Sequence, residues 1–100
     1  MTDDNNPEHV QELQIKVPEE EHRGSYANQF VVAHTPEEFI LDFILATPPV
    51  GIVNSRVLVS PSHAKRIVAA LQENILRYES HFGEIEVKSA IPIPENSQTH

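Results

Sequence analysis

An α+β domain, with a four-stranded antiparallel meander followed by one long C-terminal helix packed on the sheet, is the fold class that this sequence predicts. Three observations carry it. Apolar and polar residues alternate in short segments rich in β-branched types, which is the period of a strand. From Ser60 onward the apolar spacing changes to three and four behind a serine-proline start, which is the period and the entry of a helix. Apolar density is high from Ser25 to Ile85 and low outside, so one folded core is expected there.

The elements follow in chain order. Residues 1–10 are polar, acidic and without periodicity, and read as a disordered N-terminal tail. A single domain is expected over 11–87, with its core at 25–85, and 88–100 reads as an extended tail. "ELQIKVP" alternates at Leu13, Ile15 and Val17 and predicts the first strand, ended by Pro18. "SYANQFVVAHT" predicts a second strand over Tyr26 to His34.

"TPEEFILDFILATPP", Thr35 to Pro49, is ambiguous at its start. Thr35, Pro36 and Glu38 match a helix capping box and equally a turn with proline at its second position. As a helix, the six large apolar residues between Phe39 and Leu45 would spread over most of the circumference. As a strand, Phe39, Leu41, Phe43 and Leu45 share one face, and Ile40, Asp42, Ile44 and Ala46 the other. The strand, from Phe39 to Thr47, is the reading adopted. "VGIVNSRVLVS" predicts a fourth strand over Ile52 to Val59.

The helix is expected from Pro61 to Phe82, roughly 33 Å long at 1.5 Å per residue. Ser60 caps it, Gly83 stops it, and His81 suits its negative end. Its stripe consists of Ala64, Ile67, Val68, Leu71, Ile75, Tyr78 and Phe82, with Glu73 and Arg77 paired on the outer side. Phe30, Leu41, Phe43, Leu71, Ile75 and Phe82 are the expected core.

Composition narrows the function. The chain has no cysteine, which removes disulfides, thiolate metal sites and a cysteine nucleophile, and suits a reducing compartment such as the cytoplasm. Its start resembles no signal peptide, and no apolar run is long enough to span a membrane. The formal net charge is −8; residues 1–24 hold seven acids against two bases, and 25–87 seven against four. That sign disfavours nucleic acid, against which Lys65, Arg66 and Arg77 form only a small basic group.

Ser25 to Glu84, above all "SRVLVSPSHAKRIV" and "NILRYESHFGEI", resembles a family of small bacterial proteins catalogued as a domain of unknown function, DUF3467. The resemblance implies no activity and brings no catalytic residues.

Catalytic chemistry finds little to work with. No catalytic, cofactor-binding or metal-ligating residue is expected, and no cofactor. His63 and His81 stand eighteen residues apart on one helix, roughly 27 Å, too far for one ion. Ser60 lies near His63 but is better used as a cap, and Glu37 and Glu38 flank a turn in water. Three glycines make no phosphate-cradling loop.

The expected function is therefore non-enzymatic: a homo-oligomeric protein-interaction module whose partners are further copies of itself and another protein. One helix covers one face of a sheet, and Ile40 and Ile44 lie on the other, so Ile40, Asp42, Ile44 and Arg56 are the expected oligomer interface. Two alternatives share the layout. Strands followed by a long helix are similar to the SecB export chaperone, a holdase for unfolded chains. "SRVLVSPSHAKRIVAAL" has the strand-turn-helix order of ribbon-helix-helix DNA-binding regulators, although no second helix pattern follows Gly83.

Overall fold

A computed structural model describes residues 12–88. Within them a short 3-10 turn, Glu19–Glu21, precedes three strands, β1 (Gln29–His34), β2 (Phe39–Thr47) and β3 (Val50–Val59), and one helix, α1 (Pro61–Phe82). The strands form an antiparallel sheet in the order β1-β2-β3, with β2 in the centre.

The Thr35–Glu38 ambiguity resolves as a turn. The Thr35 amide donates to the Glu38 carbonyl at 2.8 Å, and the Thr35 hydroxyl oxygen accepts from the amides of Glu37 and Glu38 at 3.2 and 3.1 Å. Side-chain bonds of this kind give the backbone an alternative to a helix start, and the hairpin they close puts His34 opposite Phe39. Pro48 and Pro49, joined by a cis peptide, lie between β2 and β3.

Register follows from two asparagines. Asn28 precedes β1 yet extends its ladder: its side-chain oxygen accepts from the Ala46 amide at 2.8 Å, and its side-chain nitrogen donates to the Ala46 carbonyl at 3.0 Å. A bulge separates the pairs Phe43–Ser55 and Ile44–Val53, so Asn54 is the extra residue on β3. Its side chain donates to the Tyr26 carbonyl at 2.6 Å.

The helix begins and ends as its sequence dictates. The Ser60 hydroxyl oxygen accepts from the His63 amide at 3.1 Å, Pro61 takes the first helical position, and Gly83 ends the helix at φ 95°. Its amide donates to Glu79 O, and the Glu79 carboxylate accepts from the Ile85 amide.

Three expectations are corrected. Leu13 to Val17 is not a strand, so the sheet has three strands and not four; Leu13 and Ile15 are 84% and 82% exposed. The connection after Pro18 is bonded to itself through Glu21 N to Pro18 O, His22 N to Glu19 O and Gly24 N to Glu21 O, which spends its backbone groups locally. Alternation makes a segment fit for a sheet edge but does not bring an edge to it.

Second, α1 does not pack on the sheet. No residue of α1 is buried, and a groove separates it from β1 and β2. Only Ser60 joins β3 to α1, and so short a joint fixes the angle at which the helix leaves. Third, the expected core is largely open: Leu71 is 58% and Phe82 75% exposed, Phe30 and Ile75 are about half exposed, and only Leu41 and Phe43 are partly sheltered.

Asn28 offers a direct test of the register. Asn28→Ala removes both bonds to Ala46, and hydrogen exchange should show the Ala46 amide losing its protection while amides in the middle of β2 keep theirs. Stability should fall by about 1 kcal/mol in a urea titration.

Candidate functional site

Strand alternation sorts the sheet into two faces. The near face, toward α1, carries Phe30 and Val32 of β1, Phe39, Leu41 and Phe43 of β2, and Val57 of β3. Its aromatic pair, Phe30 and Phe43, lies with ring centroids 5.1 Å apart. Ala64, Ile67, Val68 and Leu71 of α1 face it across an open apolar groove of about 720 Å³. This groove has no counterpart in the sequence reading, which expected the helix to fill that space.

The far face brings all four expected interface residues together. Ile40, Asp42 and Ile44 alternate along β2, and Arg56 is the register partner of Asp42 on β3. Val31, Ala33 and Leu58 surround them on the neighbouring strands. Ile40 and Ile44 are half-buried; Leu58 and Val53 are about half exposed.

At the centre of this apolar face is a bidentate ion pair. Arg56 Nε donates to Asp42 Oδ1 at 2.8 Å and Arg56 Nη2 to Oδ2 at 2.9 Å. Parallel donation to both oxygens is the strong form of this contact. The Asp42 side chain is 12% exposed and that of Arg56 51%, so the carboxylate is covered while its partner reaches into water. The guanidinium hydrogen bonds hold the Asp42 carboxyl below its ordinary range, against the upward pull of burial, and Asp42 in turn raises Arg56.

The residues weighed for catalysis have structural employment. Ser60 caps α1. A second serine-histidine neighbourhood, missed in the sequence, occurs at Ser80 and His81, 3.2 Å apart. The Ser80 hydroxyl donates to the Arg77 carbonyl at 2.8 Å, and His81 Nδ1 is 3.0 Å from that same oxygen, so both close the last turn of the helix. Arg77 is tied to Glu73 at 2.7 Å. Among the described residues no group of three His, Cys, Asp or Glu side chains is placed to hold a metal ion, and no helix is long and apolar enough to cross a membrane.

The chain belongs to the family described as protein of unknown function (DUF3467), whose model matches residues 1–87. The match reaches well upstream of Ser25, where the resemblance of the sequence begins. Searches of curated proteins and of solved structures find no match to the chain.

The ion pair gives the far face a pH signature. Because the folded carboxyl titrates below its unfolded value, the pair contributes stability that is fully present above the unfolded value, near 3.9, and is lost as pH falls through the folded one. Arg56→Gln should raise the Asp42 pKa, read by carbon-detected NMR titration. It should destabilise the fold only modestly at neutral pH, because Arg56 is half in water, and the loss should shrink in acid.

Proposed function

We propose that this protein is a non-enzymatic, homo-oligomeric protein-interaction module. One observation carries the reading: among the described residues only Ala33 and Asp42 are buried, while large apolar side chains line both faces of the sheet and the whole stripe of α1. A fold with so little interior of its own acquires one by association.

Two apolar faces on one sheet point to an even number of copies. The far face, Ile40 and Ile44 around the Asp42–Arg56 pair, is one contact surface. A two-fold axis through such a patch sets it against itself, and the ion pair then confers register, because a charge inside an apolar contact tolerates few alternative placements. The absence of cysteine fits a reducing compartment, so the module is assigned to the cytoplasm.

The groove supports a second reading. An apolar channel rimmed by Phe30 and Phe43 would take short apolar stretches of an unfolded chain, the work of a SecB-like holdase. An oligomer that leaves the channel open favours the holdase; one that fills it favours the dedicated module.

Light scattering over a dilution series should report more than one chain per particle down to low micromolar concentration, with an even number the expected result. Ile40→Lys combined with Ile44→Lys should lower that mass or make the protein insoluble, and an unchanged mass would remove the far face as a contact. A holdase should suppress aggregation of an unrelated unfolding protein at near-stoichiometric amounts; the dedicated module should leave that aggregation unaltered.

A further inference from the structure

The apolar stripe of α1 is symmetric about its own middle. Ala64, Ile67, Leu71, Ile75 and Tyr78 follow one another at intervals of three, four, four and three, so the spacing is the same in both directions from Leu71. Leu71 is also the structural midpoint of the 22-residue helix. On the N-terminal side of it, Ala64, Ile67 and Val68 look into the groove; on the C-terminal side, Ile75, Tyr78 and Phe82 are outside the groove lining, and all three are at least 45% exposed. Half of the stripe thus has a sheet before it and half has none.

We propose that two copies pair their α1 helices antiparallel about Leu71, each seating its C-terminal half in the groove of the other; this rests on the homo-oligomeric reading above and names the contact. Antiparallel pairing about that point sets Leu71 against Leu71, Ile67 against Ile75, and the small Ala64 against the bulky Tyr78. Small against large is the complementarity that lets two helices approach to 8–10 Å. At the flanks it sets His63 against Glu79, while Lys65 and Arg77, which would repel, lie about 120° away from the stripe centre at 100° per residue.

The areas agree. With Val68, Leu71, Tyr78 and Phe82 each more than half exposed, and aromatic side chains offering about 150–250 Å² apiece, the distal stripe and the groove together present on the order of 1,000 Å² of apolar surface per chain. A stable pair needs about 800 Å² from each partner. The chain's own helix cannot supply the missing cover, because the single residue Ser60 between β3 and α1 holds the N-terminal half at its distance and leaves the other half beyond the groove lining. A helix about 10 Å across also spans only about two strands at 4.8 Å spacing, so a three-stranded face has room for a second.

The absence of native cysteine makes the geometry directly readable. Leu71→Cys alone should convert most of the full-length protein into a disulfide-linked dimer under mild oxidation. Chains carrying Ala64→Cys, mixed with chains carrying Tyr78→Cys and allowed to exchange subunits, should link to each other in preference to themselves, a contact that only two different molecules can make. Self-linking of Ala64→Cys in place of that cross-link would mean parallel helices and overturn the proposal. So would an oligomer, confirmed by light scattering, in which Leu71→Cys stays unlinked while Ile40→Cys on the far face links; the homo-oligomeric reading would then survive. A monomer at every concentration would overturn both.

Discussion

A pleated sheet has two sides, and a single helix can shelter one of them. Here β2 is apolar on both sides along most of its length, with Asp42 as the exception, and α1 is held off even the side it faces. The consequences run through the whole structure. Backbone hydrogen bonding in the hairpins and the helix is well provided for, down to side-chain substitutes at Asn28 and Ser60. Apolar burial is not. Hydrogen bonds contribute modestly to net stability, and burial supplies the larger favourable term. A chain with its hairpins hydrogen-bonded and its oily surface open has a well-specified shape and little free energy to hold it, and the association proposed above would supply what is missing.

The Asp42–Arg56 pair fits that frame. A carboxylate in the centre of an apolar face is expensive unless it is paired, and a bidentate guanidinium is the cheapest pairing available. Replacement of both residues by apolar ones would make the face more adhesive and less selective, since featureless apolar surfaces slide over one another. The pair stays intact at neutral pH and keeps Asp42 charged, so in the proposed contact it would act as a fixed peg.

How much of this was legible in the sequence depends on the range of the interaction. Where neighbours within four residues decide the outcome, the residues speak plainly: Ser60, Pro61 and Gly83 bound α1 correctly, and the faces of β2 follow from alternation once its strand character is settled. The four far-face residues came together because register on one hairpin is also a local matter. Leu13 to Val17 and the groove failed for the opposite reason. Alternation states which residues suit a sheet, and the stripe states which side of a helix is apolar; neither states the distance to a partner, which here is set by one connecting residue and a self-bonded turn. The bulge at Asn54 was likewise invisible, because one extra residue leaves no mark in a run of β-branched side chains.

That same distinction explains why the stripe of α1 is informative beyond its own chain. A helix serving only its own sheet needs apolar residues only where the sheet lies beneath it, and past Leu71 selection for a monomer would leave the face polar. Instead the pattern continues to Phe82, its spacing mirrored as far as Tyr78, and the exposed Tyr78 and Phe82 rings lie 4.9 Å apart outside the groove lining. Exposed aromatic pairs at the far end of a capped, fully formed helix are costly in water and prone to unspecific contact. Their presence at helical spacing is accounted for if, as proposed, the surface they meet belongs to another molecule, and a mirrored spacing is what a molecule needs to meet itself.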